Sequence, residues 1–125
     1  MSFNKDEYVS DLGDIINKPW GNYRTIDEAA GFKVKRIEVE PGASLSLQKH
    51  SHRSEYWIVV KGQATVTKGD NILTVNENQV VHLEVEEKHR VANKGDKKLV
   101  FIEVQYGDYL GEDDIVRFED SYGRV

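Results

Sequence analysis

Between Phe32 and Gln105 the apolar residues come in short runs, parted by glycine, proline, asparagine and charged residues. Runs this short, punctuated by turn residues, predict the strands of a sandwich or barrel. Phe32–Val39 stops at Glu40-Pro41-Gly42, where proline sets one backbone angle and glycine frees another. Ala43–His50, Glu55–Val60 and Gln63–Thr67 follow, the last two separated by Lys61-Gly62. Lys68-Gly69-Asp70-Asn71 predicts a hairpin turn into Ile72–Val75. Gln79–Val85, His89–Ala92 and Leu99–Gln105 bring the strands to about eight, with Asn93–Lys98 as a charged turn. Helix is expected only early, over Asp6–Ile16 or Ile26–Ala30. Closing the strands into an antiparallel barrel removes their exposed edges. The expected organisation is one domain over residues 1–125: an N-terminal extension (1–30), a barrel core (31–106) and a C-terminal tail (107–125).

Strand parity then sorts the side chains, because successive residues point to opposite faces. If Glu55 points inward, so do Trp57 and Val59, while Tyr56, Ile58 and Val60 point out. An apolar outer face of this kind needs a cover, and a homodimer is the expected one. In Phe32–Val39, inward Ile37 and Val39 take Lys33 and Lys35 in with them. A lysine on an inner face is costly unless an anion meets it or it reaches solvent. In Leu99–Gln105 both alternating sets are apolar; if Leu99 and Phe101 point in, Glu103 and Gln105 face the same interior.

At 125 residues, with 38% hydrophobic content, the chain has the size and composition of a single globular domain. A net charge of −5 argues against binding nucleic acid or an anionic membrane. The absence of cysteine excludes disulfides and thiolate metal sites. No apolar signal core or membrane-length stretch is present, so the expected location is cytoplasmic.

The chemistry concentrates between Gly42 and Gly62. This run resembles the first signature of the cupins, metal-binding β-barrels of the double-stranded β-helix (jelly-roll) type. Their pattern is Gly, five residues, His-x-His, four residues, Glu, six residues, Gly. The pair His50 and His52 is out of frame with Glu55. Moved by two residues, the frame puts Gln48 and His50 in the histidine places, with Glu55 and Gly62 at the right offsets. The second signature ends in His, three residues, Asn, as in His89-Arg90-Val91-Ala92-Asn93. The resemblance therefore implies an all-β cupin with one divalent metal held by Gln48, His50, Glu55 and His89. Residues two apart on a strand share a face, so Gln48 and His50 can point at one ion. An amide, two imidazoles and a carboxylate suit zinc, and also manganese, cobalt, nickel or ferrous iron. Where the second signature usually has Gly, Pro and Gly, this chain has Asn78, Glu84 and Glu86, and a differently built turn is expected before His89.

Longer strings carry a closer resemblance. They are Lys18-Pro19-Trp20-Gly21-Asn22-Tyr23, Phe32 to Ile37, Pro41 to His50, Glu103-Val104-Gln105-Tyr106-Gly107 and Tyr109 to Arg117. Together these resemble the type II mannose-6-phosphate isomerase family, which occurs alone or as the C-terminal domain of bifunctional isomerase/mannose-1-phosphate guanylyltransferases. The resemblance implies metal-dependent interconversion of mannose 6-phosphate and fructose 6-phosphate through a cis-enediol, in nucleotide-sugar and polysaccharide synthesis. On that reading the base is His52 or Glu103. The candidates for gripping the phosphate of the small sugar-phosphate ligand are Lys35, Arg117 and Arg124. Two other functions stay open: a cupin epimerase or ketoisomerase acting on a sugar nucleotide, and a noncatalytic sugar-binding cupin.

Overall fold

The computed structural model describes residues 10–120, and no helix occurs among them. The strands are β1 (Ile15–Lys18), β2 (Gly21–Ala29), β3 (Phe32–Val39), β4 (Leu47–Lys49), β5 (Arg53–Lys61) and β6 (Ala64–Lys68). They continue as β7 (Asn71–Val75), β8 (Val80–Leu83), β9 (His89–Ala92), β10 (Leu99–Gly107) and β11 (Val116–Glu119). One sheet has the order β1-β2-β3-β10-β5-β8, the other β11-β4-β9-β6-β7, and the pairings are antiparallel.

Between the sheets lies one apolar core. Val39, Trp57, Val59, Leu83, Leu99 and Phe101 enter it from the first sheet, and Ala64, Val66, Val75 and Val91 from the second. Each large side chain of this kind, fully buried, contributes about 1.5–3 kcal/mol of transfer free energy.

The register of β3, β10 and β5 grades the inner face along the strands. Ile37, Phe101 and Val59 lie abreast; one step on are Lys35, Glu103 and Trp57, and beyond them Lys33, Gln105 and Glu55. All nine are buried. The apolar end is core, and the polar end becomes a site. A bulge between Val100 and Phe101 resolves the double-apolar pattern of β10: Leu99 and Val100 are both buried, and strict alternation then puts Phe101, Glu103 and Gln105 inward.

Several expectations need correction. The helix over Ile26–Ala30 is absent, because β2 pairs with β3 as far as the Ala29–Phe32 step and inter-strand bonding overrides the helix-favouring Asp27-Glu28-Ala29 composition. The described part of Asp6–Ile16 is a turn and the start of β1, and residues 6–9 lie outside the described residues. Residues 15–29 are thus two strands of the main sheet rather than an appendage. The tail also contributes β11, which pairs with β4. Ala43–His50 is strand only over Leu47–Lys49, with a single bridge from Ser44 to Ala92 upstream.

The turns on either side of β8 also depart from expectation. Asn78, in the turn before β8, and Glu86, in the turn before His89, adopt φ of 70° and 69°, the left-handed conformation that glycine takes without penalty. The glycine geometry is kept without the glycine. At Gly62, φ is +83° and an added Cβ would stand 2.9 Å from the carbonyl oxygen of Lys98, so conformation and space both demand glycine there.

Candidate functional site

The polar end of the barrel holds a cavity of about 140 Å³, room for four or five waters. Its lining includes Lys35, Gln48, His50, Arg53, Glu55, His89, Glu103, Glu112 and Arg117.

At its floor His50, Glu55 and His89 are buried, each offering a ligand atom within 4.8 Å of the others. Nε2 of His50 is 3.3 Å from Oε2 of Glu55. Main-chain carbonyls accept hydrogen bonds from Nδ1 of both imidazoles: that of Asp114 from His50 at 2.7 Å, that of Glu87 from His89 at 3.1 Å. A carbonyl only accepts, so each Nδ1 carries the proton and each Nε2 keeps its lone pair. That is how metal-binding histidines are oriented by their surroundings. Burial, reinforced by the Arg53 charge, lowers His50 to about 4, and burial lowers His89 as well; both are neutral at neutral pH. Burial pushes the other way at Glu55, but the charge of the adjacent Arg53 outweighs it and keeps the carboxyl ionised. Two neutral imidazoles and a carboxylate fit a divalent cation. Gln48 sits opposite His89 in the β4–β9 register and lines the same cavity.

In this structure a cation from the chain itself stands over these groups. The Arg53 guanidinium donates from Nε to Glu55 Oε2 at 2.7 Å and from Nη2 to His50 Nε2 at 3.2 Å. Sequence reading missed Arg53, although period two places it on the face of Glu55 and Trp57 once β5 is extended two residues upstream.

Glu103 is the second buried carboxyl. Burial, followed by the charge of Glu55, raises it to about 8. The indole Nε1 of Trp57 donates to both carboxyls, at 2.8 Å to Glu55 and 3.0 Å to Glu103, and Gln105 Nε2 donates to Glu103 at 2.7 Å. Glu103 is therefore a neutral acid at pH 7 that can give a hydrogen bond to a ligand oxygen.

Residues 108–115 run across the mouth. The carboxylate of Asp114 accepts from the main-chain N–H of Ser51 and His52, at 3.0 and 2.9 Å. Lys33 Nζ donates to the Leu110 carbonyl at 3.1 Å, and Lys35 Nζ to Glu112 Oε2 at 2.7 Å. These contacts answer the inward lysines, and neither Glu112 nor Asp114 was foreseen.

The candidates divide as follows. His52 does not reach the cavity: the turn held by Asp114 sends it to the surface, where Nδ1 is 3.4 Å from Asp108. Glu103 and Lys35 line the cavity, as does Arg117, whose Nε is buried without a hydrogen-bond partner. Arg124 lies outside the described residues.

A barrel of two antiparallel sheets with a His-His-Glu donor set at one end is a cupin. Its fold resembles a double-stranded β-helix protein from Klebsiella pneumoniae, at a TM-score of 0.69 and 21% identity, covering 95% of this chain and 92% of that one. The chain belongs to the family described as mannose-6-phosphate isomerase C-terminal, whose profile matches residues 5–120. It is 57% identical over 110 residues to the xanthan biosynthesis protein XanB of Xanthomonas campestris pv. campestris, covering 88% of this chain and 24% of XanB. It is 46% identical over 110 residues to the mannose-1-phosphate guanylyltransferase ManC of Salmonella typhimurium, covering 88% of this chain and 23% of ManC. The chain thus spans about a quarter of the length of these relatives, as their C-terminal cupin part. The expected isomerisation of mannose 6-phosphate is corrected by these findings. The relatives are named for guanylyl transfer and polysaccharide synthesis, and the match covers only their cupin part, so the likeness does not show an isomerase activity for this chain.

Proposed function

We propose that this chain is a divalent-metal-binding cupin module of nucleotide-sugar and surface-polysaccharide synthesis, whose cavity binds a phosphorylated sugar. One observation carries the reading: a neutral-histidine and carboxylate donor set and buried cationic side chains line a single cavity. Mannose 1-phosphate, the substrate that ManC's name implies, is the first ligand to test. His50, Glu55 and His89 would hold the ion, with Gln48 beside them, and zinc is the first metal to try. When bound, the ion supplies a Lewis acid for a sugar oxygen. Glu103 lines the same cavity and can hydrogen-bond a neighbouring hydroxyl. Lys35 and Arg117 supply positive charge for the phosphate.

Two copies would pair through the outer face of the first sheet, where Tyr56, Val60, Val80 and Tyr106 are exposed. A cytoplasmic location, and no nucleic-acid or membrane partner, belong to the same proposal. No helix among the described residues is long and apolar enough to cross a membrane.

The test is calorimetric titration of mannose 1-phosphate and of unphosphorylated mannose into zinc-loaded protein and into protein treated with a chelator. Tighter binding of the phosphate, weakened by metal removal, is the expected result. Absence of zinc uptake, or equal affinity for the two sugars, would overturn the reading.

A further inference from the structure

The strap over the cavity carries a charge that a binding pocket for an anionic ligand does not need. Glu112 projects from the 108–115 segment to Lys35, whose side chain is only 3% exposed. Lys35 Nζ also lies 4.0 Å from the centre of the Tyr23 ring, so carboxylate and aromatic face share the ammonium. Oε2 of Glu112 stands 3.8 Å from Nη1 of Arg53. That nitrogen is buried and has no hydrogen-bond partner, although Nε and Nη2 of the same guanidinium are both engaged. Two buried cations thus converge on one carboxylate, and a buried donor beside it is left unused. Partial desolvation at the mouth would raise Glu112, yet the charges of Lys35 and Arg53 outweigh it and hold the carboxyl at about 2.

The two cations differ from the carboxylate in how they are held. Lys35 and Arg53 stand on β3 and β5, inner strands of the six-stranded sheet, each paired on both sides. Glu112 stands on an irregular segment at the cavity mouth, with 44% of its side chain exposed. A carboxylate on such a segment can leave with less loss than either cation can move. An unpaired buried donor is unfavourable, and a ligand with more acceptor oxygens than a carboxylate can satisfy it. A phosphate monoester has three terminal oxygens, enough for Lys35 Nζ and Arg53 Nη1 together.

We propose that Lys35 and Arg53 form the phosphate subsite of this cupin, and that Glu112 is its internal occupant, displaced when the phosphorylated ligand enters. The proposal rests on the sugar-phosphate reading above. It makes Glu112 a competitor: apparent affinity falls by the fraction of time that the carboxylate holds the subsite.

The experiment compares the full chain with Glu112→Gln, with Lys35→Met and with the double variant. Mannose 1-phosphate, inorganic phosphate and unphosphorylated mannose are titrated into each at fixed salt. Glu112→Gln should bind mannose 1-phosphate and inorganic phosphate about tenfold more tightly, the gain expected if the plug is in place nine-tenths of the time. Mannose should be unaffected, and adding Lys35→Met should abolish the gain. Phosphate should also raise the melting temperature of Glu112→Gln more than that of the native chain, by linkage. If Glu112→Gln folds poorly, Glu112→Asp withdraws the same charge by one methylene and should show a smaller gain in the same direction. Equal or weaker phosphate affinity in the variants, with the native chain still binding mannose 1-phosphate, overturns the plug and leaves the sugar-phosphate reading standing. Failure of every form to bind mannose 1-phosphate overturns both.

Discussion

Replacing Arg53 by methionine should make this protein bind zinc more tightly, although no metal ligand is touched. The guanidinium is 2.7 Å from one oxygen of Glu55 and 3.2 Å from Nε2 of His50, two of the atoms that a metal ion would claim. Glu55 is 1% exposed, so its charge is answered from within the protein. Removing one partner of a buried ion pair costs about 3–5 kcal/mol, because the other charge stays buried alone. In the metal-free variant Glu55 can share the Glu103 proton, so the lower figure applies, about 3 kcal/mol. A bound divalent ion restores the missing charge. The metal-free form of the variant is then penalised and the loaded form is not, and the difference returns as affinity. At 1.4 kcal/mol per tenfold, 3 kcal/mol corresponds to about a hundredfold, and a gain of at least about tenfold is the expected outcome. Competition with a chromophoric zinc chelator at fixed pH and salt measures it. Unfolding midpoints with and without metal provide the second reading, the variant being less stable than the native chain when stripped. Arg53→Lys, which keeps the charge without the fork, should lie between the two. If Arg53→Met binds zinc no more tightly than the native protein, the guanidinium is not a competing cation and the reasoning fails.

Three further outcomes follow from the same structure. Glu112 is held at about 2, against an ordinary carboxyl value of 4.5, so the stability it supplies is present above about pH 4.5 and is lost as pH falls through about 2. The gap in urea midpoint between native protein and Glu112→Gln should therefore be flat from pH 7 to 4.5 and close below that; a gap that widens in acid would refute the assignment. Glu86→Gly should raise the thermal midpoint, since a left-handed backbone costs a non-glycine residue about 1 kcal/mol, and Asn78→Gly should give less because asparagine tolerates that conformation better; unchanged midpoints in both would mean that neither turn is strained. Tyr106, the most exposed of the outer-face aromatics at 67%, should when changed to Lys shift the protein towards monomer in light scattering, and a native chain already monomeric at micromolar concentration would sink the dimer.

Much of the fold was legible because strands are local objects. Alternation along Phe32–Val39 and Glu55–Val60 assigned each residue to a face, and the structure buries Lys33, Lys35, Ile37, Val39, Glu55, Trp57 and Val59 on the inner one. His50, Glu55 and His89 were legible through the resemblance to the two cupin signatures, and the structure brings their ligand atoms within 4.8 Å of one another. Ile26–Ala30 was misread because its local composition favours helix, and the hydrogen bonds offered by β3 make it strand as far as Ala29. The tertiary structure alone decided what stands opposite the lysines and the metal donors. Glu112 and Asp114 reach Lys35 and His50 across 77 and 64 residues of sequence, contacts that no local pattern encodes. His52 was lost from the site for the same reason: the Asp114 carboxylate, far along the chain, holds the turn that points it outward. Strand period determined which side chains enter the barrel; closure of the chain over its mouth determined which charges meet there, because Coulomb and hydrogen-bond energies depend on distance in space and not on separation in sequence.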